Sequence, residues 1–227
     1  NQSVHSEQIA AFLLGWRVRL ETVEELKTTL EVCNKYIKRV KIPNSIELGY
    51  PFDGKADNPY LLPLISKYLK KFDLNLVVSG DEIQPAKKGL TIKQLYENIE
   101  FDDNVFYFDR ADYFKELSNL TKIRNILGLR TAFNTVEKLL NPGTSDYAVN
   151  AAFHKPYVAK YNQIFGNNYK NLIIVKGNEG TPEIFSKCKY WQTIDGKITE
   201  YIIDPEYFGI NYKKSMHIIL PEESLNM

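Results

Sequence analysis

Cysteine is scarce in this chain: Cys33 and Cys188 are the only two in 227 residues. Their separation gives no disulfide framework and no metal-ligand spacing, so buried thiols in a reducing cytoplasm are expected. Histidine is almost as rare, and His154 and His217 have no carboxylate or cysteine nearby at ligand spacing, so both read as structural or exposed. No apolar run approaches the length of a membrane span, and the first residues do not have the layout of a secretory signal. Charge of one sign is missing too. With 29 Lys and Arg against 28 Asp and Glu the net charge is +1, which is not by itself a nucleic-acid footprint. Internal repeats and low-complexity stretches are absent. A disulfide scaffold, a helical membrane protein and a strongly basic nucleic-acid binder are thereby disfavoured.

What remains is an ordinary globular composition, 44% hydrophobic, enough for one good-sized core or two small ones. Ser6 is a candidate N-cap for an apolar helix through Trp16. Thr22 and Glu25 form a T-x-x-E capping box that opens a second helix reaching about Ile37. The basic run Lys35, Lys38, Arg39 and Lys41 follows, read as a solvated helix end or a binding patch, and Pro43 marks a linker. From there apolar runs at 46–48, 74–78, 105–108, 148–152 and 172–175 read as strands, alternating with helices at 59–71, 91–99 and 155–165. Such alternation predicts an α/β layer with a mainly parallel sheet. The segment 190–203, centred on Asp195-Gly196, reads as a β-hairpin. Residues 113–140 are helical throughout and interrupt the α/β pattern.

Within that interruption Arg124-Asn-Ile-Leu-Gly-Leu-Arg130-Thr-Ala-Phe-Asn134 runs on to Leu140-Asn141-Pro142. The residues predict a helix ending near Gly128, a tight connection, and a second helix through Leu140 that Pro142 forbids from continuing. Spacing alone leaves Arg124 and Arg130 as solvated helix-end arginines or as ligand-binding groups.

The order R-x-x-L-G-x-R-T-x-F-N-x-x-x-x-L-x-N-P resembles the signature of anthranilate phosphoribosyltransferases and the wider family 3 glycosyltransferases. Ser6-Glu-Gln-Ile-Ala-Ala-Phe-Leu-Leu-Gly15 with Glu21-Thr-Val-Glu-Glu25 resembles the family's N-terminal helices. Asn171-Leu-Ile-Ile-Val-Lys-Gly177 with Glu179-Gly180 and Glu183 resembles its V-V-H-G-x-x-G-x-D-E strand and loop, and Asp204-Pro-Glu-Tyr-Phe-Gly209 its P-E-x-F-G turn. The resemblance implies a helical domain at 1–45 and 111–141, an α/β domain at 46–110 and 142–227, a substrate cleft between them, and a homodimer through the helical domain. Against the family's length, the chain is expected to be incomplete at both ends.

A phosphoribosyltransferase holds a pyrophosphate on backbone amides, screens it with a divalent cation, Mg2+ being the candidate cofactor, and steers an acceptor onto the ribose. The resemblance places Arg124 at the anthranilate carboxylate, a task suited to a planar bidentate fork. Elsewhere the chain departs from the family. The glycine-rich diphosphate loop becomes Gly49-Tyr-Pro-Phe-Asp53-Gly54-Lys55-Ala-Asp57-Asn58-Pro59, in which Lys55 is a point charge and Asn58 an N-cap with Pro59 at N1. An ordinary turn and a phosphate site both fit that loop. The serine-rich loop becomes the stretch from Ser79 to Gly89: Gly80 follows a strand at the carboxyl edge where α/β sheets place ligands, Asp81 and Glu82 are candidate metal ligands, and Lys87 and Lys88 candidate phosphate contacts. A solvated mixed-charge loop is the alternative. The family's D-E pair becomes Pro182-Glu183, leaving Glu183, with Glu179 across the loop, as the candidate metal carboxylates. Its H-P pair falls at Phe114-Lys115, without the histidine.

The chain thus resembles the divergent branch of the family with an altered glycine loop. It is expected to bind a phosphorylated ligand such as phosphoribosyl pyrophosphate where the 53–59 loop faces Gly80, with glycosyltransferase activity divergent or lost. The competing expectation is sequence-independent nucleic-acid binding through Lys35, Lys38, Arg39, Lys41, Lys87, Lys88 and Lys122.

Overall fold

A computed structural model describes residues 4–152 and 154–211; His217 lies outside them. The segment after the linker builds one seven-stranded sheet in the order β3-β2-β1-β4-β5-β6-β7. Strands β1 (Ser45–Gly49), β2 (Asn75–Gly80), β3 (Val105–Asp109), β4 (Tyr147–Ala151) and β5 (Asn171–Val175) are mutually parallel. Strands β6 (Cys188–Ile194) and β7 (Lys197–Ile203) add an antiparallel hairpin at one edge. Its turn takes Asp195 and Gly196 to φ 48° and 74°, the left-handed pair that an Asp-Gly turn supplies. The expected α/β class, the parallel strands and the hairpin are all present.

Two helices open the chain, α1 (Ser6–Arg19) and α2 (Val23–Asn34). The capping box at α2 is formed as read: Glu25 N donates to Thr22 Oγ1 at 3.2 Å and Thr22 N to Glu25 Oε2 at 3.0 Å. Between β3 and β4 come α5 (Arg110–Tyr113), α6 (Lys115–Ser118), α7 (Leu120–Leu127) and α8 (Phe133–Val136). Each is too short to persist alone, so packing holds them. Trp16 meets Phe133 edge-on at 6.0 Å and Tyr36 stacks on Phe114 at 6.4 Å. The same apolar cluster runs through Leu26, Leu30 and Val136 to Leu172, Ile174 and Phe165 on the sheet and on α9 (Lys155–Phe165). A second cluster covers the other face, where Leu76, Val78 and Leu95 meet under α3 (Leu62–Lys70) and α4 (Ile92–Asn98).

Two boundaries depart from expectation. Gly128 does end α7 in the left-handed region at φ 68°, but the helix after it stops at Val136 and tightens into a 3-10 turn over Glu137–Leu139 rather than continuing to Leu140. Helix α3 starts at Leu62, with Leu61 as its cap and Pro63 in its first turn, so Asn58 is not the N-cap and Pro59 is not N1. The residues ahead of the helix are held from elsewhere: Lys55 Nζ donates to Pro59 O at 2.7 Å and Leu61 N donates to Glu183 Oε1 at 2.7 Å.

Glu47, at the centre of β1, has no exposed surface. Its carboxylate accepts from Asn141 N at 3.0 Å and from the Tyr169 hydroxyl, yet burial raises its pKa to about 7. The folded chain therefore keeps a proton that the unfolded chain has released, and stability falls as pH rises from the ordinary carboxylate range through about 7. Urea denaturation of Glu47→Gln across that window is expected to show the fall flattened, by about 3 kcal/mol between its ends. An unchanged pH dependence would assign it to other groups.

Candidate functional site

The carboxyl ends of the parallel strands all feed one side of the molecule, where open α/β sheets form their clefts. The loop after β1 carries Asp53 to Pro59, the loop after β2 carries Lys87, and the loop after β5 carries Gly177 to Glu183. Together with the turn between α7 and α8 and the Glu137–Leu139 segment they enclose a cavity of about 700 Å³. Asp53, Lys87, Arg130, Lys138 and Glu179 face it, with the rings of Tyr157 and Tyr161.

Three cations meet there. Arg130 Nε donates to Asp53 Oδ2 at 3.0 Å, with a second guanidinium nitrogen on the same oxygen. Lys87 Nζ lies 3.6 Å from Asp53 Oδ1 and donates to the main-chain oxygen of Glu179 at 2.5 Å. Lys138 is buried; its Nζ donates to Ala151 O at 3.1 Å and Gly180 O at 2.9 Å, above the Tyr161 ring. Burial, with Lys87 adding repulsion, lowers the Lys138 ammonium to about 7, and burial also lowers Lys87. Sequence reasoning marks Arg130 only as one of two motif arginines and misses Lys138 as a cleft residue. The signal for Lys138 is a lysine flanked by Val136 and Leu139 in the stretch between Phe133 and Asn141.

Behind the cleft the carboxylates of the 177–183 loop turn back on the 53–61 segment. Glu183 is buried and paired with Lys55 Nζ, and it also accepts from Tyr50 Oη at 3.1 Å, Leu61 N at 2.7 Å and Thr181 Oγ1 at 3.2 Å. Lys55 lies between the Tyr60 and Phe185 rings, and burial lowers its pKa against the pull of Glu183. Glu179 Oε1 accepts from Ala56 N at 2.7 Å and Oε2 from Asp57 N at 3.0 Å.

A second network fills the space between β2, β3 and the helices. Arg110, Arg124, Glu137 and Asp81 are all buried. Arg124 grips Glu137 with both ends of its fork, at 2.7 and 3.0 Å. Arg110 pairs with the same carboxylate and sends Nε to Asp81 Oδ2 at 2.6 Å, its guanidinium 4.5 Å from the Phe52 ring. Burial works against these charges, but the two arginines still hold the Glu137 carboxyl below the usual range. Asp81 also accepts from Ser118 Oγ at 2.9 Å and Thr121 Oγ1 at 3.1 Å.

The geometry accompanies a resemblance measurable along the whole chain. The model of the glycosyl transferase family, a/b domain, matches residues 81–227. The chain belongs to the glycosyl transferase family. An uncharacterized protein of Aquifex aeolicus (strain VF5) is 32% identical over 216 residues, covering 91% of this chain and 67% of that one. The anthranilate phosphoribosyltransferase of Neisseria meningitidis serogroup C (strain 053442) is 26% identical, covering 94% of this chain and 66% of the relative. The crystal structure of anthranilate phosphoribosyltransferase from Thermus thermophilus superposes with a TM-score of 0.73 at 17% identity, covering 98% of this chain and 72% of that one. The Saccharomyces cerevisiae enzyme in complex with PRPP and Mg gives 0.70 at 16%, covering 97% and 67%. This glycosyl transferase family member thus spans about two thirds of the length of the relatives it matches.

Against that background several expected site residues occupy different positions. Arg124 is buried, gives both terminal nitrogens of its fork to Glu137 and does not line the cleft. Lys55 is buried on Glu183, and Asn58 is buried in the loop. Gly80 packs under Tyr107, whose ring a Cβ there would meet at 2.9 Å. The 53–59 loop therefore faces Gly89 and Leu90, where Lys55 pairs across, rather than Gly80. Lys87 does reach the cleft, whereas Lys88 is exposed outside it.

Nor do the carboxylates fit a divalent cation. Mg2+ needs open oxygen lone pairs in near-octahedral order. Both oxygens of Glu179 and of Glu183 already accept from the protein, Asp81 is committed to Arg110, and Glu82 pairs with Lys93 at 2.8 Å on the surface. Among the described residues no group of three or more His, Cys, Asp or Glu side chains is arranged to hold a metal.

Glu137→Ala leaves Arg124 buried without its counter-charge and Arg110 with Asp81 alone. A loss of about 3–5 kcal/mol is expected in urea denaturation. A loss below about 1 kcal/mol, the scale of an exposed pair, would mean that the network is solvated.

Proposed function

We propose that the protein binds a phosphorylated small molecule of the phosphoribosyl pyrophosphate type in the cleft between a helical lobe (1–45 and 111–141) and the α/β lobe, and that it is not an anthranilate phosphoribosyltransferase. The observation that carries both halves is the redistribution of the arginines. Arg124, the residue expected at the acceptor, is locked on Glu137, while Arg130 faces the cleft beside Lys87 and Lys138. Two cations, Arg130 and Lys87, on one carboxylate, Asp53, suit an anion with several oxygens, because each phosphate oxygen can replace a carboxylate oxygen in the same hydrogen bonds. If glycosyl transfer survives, the acceptor is recognised by groups other than Arg124.

The small-molecule reading is favoured over sequence-independent nucleic-acid binding by where the cations stand. Lys87 turns into the cleft, and Arg39 spends its guanidinium on Asn34 Oδ1 at 2.7 Å and Asn141 O at 3.3 Å. Lys87 thus leaves the surface set of seven, Arg39 is held by neutral oxygens on the surface, and the set belongs to a chain of net charge +1.

The proposal extends to a homodimer through the helical lobe. Helix α1 buries only Leu13 and Trp16; Val18 is 75% exposed on it, and Phe12, 61% exposed, lines an apolar groove of about 1040 Å³ with Trp16, Val32, Tyr36 and Phe114. A second copy offers the same apolar face, as an isologous contact requires. Light scattering is expected to report a dimer that Phe12→Glu with Val18→Glu converts to monomer; a wild-type monomer at tens of micromolar rejects this extension.

Two measurements test the ligand assignment. Expression in a tryptophan auxotroph lacking the biosynthetic enzyme is expected to leave the strain unable to grow, and restored growth overturns the negative half. Calorimetry with phosphoribosyl pyrophosphate is expected to show binding that Arg130→Ala weakens by about tenfold, the loss of one charge-assisted pair. An affinity unaffected by Arg130→Ala places the ligand elsewhere.

A further inference from the structure

The backbone amides of Ala56 and Asp57 point at one carboxylate, one amide to each oxygen. Two successive N–H groups converging on an anion make a nest of the kind that holds phosphate. The anion in this nest is internal. It comes from Glu179, at the tip of the turn after β5, where Thr181 N closes back on Asn178 O at 2.8 Å. The chain places it there against its own preference: Glu179 has φ 52° and Gly180 φ 79°. Gly177 permits the tightness of the turn, because a Cβ there would lie 1.9 Å from Thr181 O. On the cleft side Lys87 Nζ donates to the main-chain oxygen of the same Glu179. One residue thus occupies two amides and an ammonium with its side chain and backbone.

We propose that Glu179 is an internal stand-in for a ligand phosphate: its carboxylate latches the 177–183 loop onto the Ala56 and Asp57 amides, and a phosphate or diphosphate group binds by displacing it. This rests on the assignment of a phosphorylated ligand to the cleft and adds the place where a phosphate sits and the group it competes with. The exchange is closely matched, since a phosphate offers two oxygens to the same two amides and further oxygens to Lys87 and Arg130, which Asp53 now holds. No divalent cation is needed for it, because Lys87 and Arg130 supply the neutralising charge. Glu183 stays behind as the anchor, since its oxygens are bound to Lys55, Tyr50 and Leu61 and do not take part in the exchange. The apparent affinity is reduced by the fraction of molecules in which the latch is closed, so removing the carboxylate tightens binding without adding a contact.

The experiment is a titration of inorganic pyrophosphate, in buffer without divalent cations, into wild-type protein, Glu179→Gln and Glu179→Ala. Calorimetry is expected to give about tenfold tighter binding for Glu179→Ala than for wild type, with Glu179→Gln between them because its amide keeps one acceptor oxygen. Equal or weaker binding by a Glu179→Ala protein that melts as cooperatively as wild type overturns the latch. If that variant does not fold, nitrogen-15 spectra of the wild type decide. Saturable shifts of the Ala56 and Asp57 amides on adding pyrophosphate support the displacement, and stationary amides refute it. Binding to wild type that Arg130→Ala weakens, with those amides unmoved, leaves the cleft assignment standing and the latch wrong. Absence of binding to all three proteins removes both.

Discussion

Glu137 is a buried carboxylate on which two guanidinium groups converge, and most of the molecule is referred to it. Arg110 leaves the end of β3 and Arg124 the middle of α7, so one carboxylate fixes the helical insertion to the edge of the sheet. Such a triad gains little over an apolar core of the same volume, because desolvation offsets much of the attraction. What it provides is placement. A guanidinium with no exposed surface accepts one geometry, so α5, α7 and the Glu137–Leu139 turn cannot slide as apolar surfaces would allow. The neighbour in sequence, Lys138, is thereby set into the cleft wall beneath Gly180.

The same residue choices decide which side chains near the cleft are already engaged. Within a fold shared with anthranilate phosphoribosyltransferases, Arg124 serves here as internal support, and Glu179 and Glu183 fasten their loop to the one opposite. Glu183 accepts four hydrogen bonds where a metal ligand needs open lone pairs. Positive charge reaches the cleft on Arg130 and Lys87.

The fold was readable because its signals are local. Five apolar runs rich in Val, Ile and Leu between helical stretches dictate a parallel layer, an Asp-Gly pair dictates a hairpin, and a T-x-x-E box dictates the start of α2. The site was less readable because its determinants are contacts between different elements, from 13 positions apart for Arg124 and Glu137 to 122 for Leu61 and Glu183. Nothing near Asn58 or Pro59 announces that Glu183 will take Leu61 N and delay α3, and nothing near Arg124 announces which carboxylate will meet it. Lys87 was legible as a cation on a loop following a strand. Arg130 was visible as an arginine of the motif, but its partner Asp53 lies 77 positions away, a pairing that only the fold makes.

Cys33 lies inside the helical hairpin, 3% exposed, and burial pushes its thiol up to about 11. In the native protein it is therefore nearly inert to alkylation, for want of both thiolate and access. Cys188, at the start of β6, is only partly covered. The pair gives the chain a built-in clock for local opening: the rate at which Cys33 becomes alkylated, referenced to Cys188, counts how often the N-terminal hairpin lifts off the helices that pack on it.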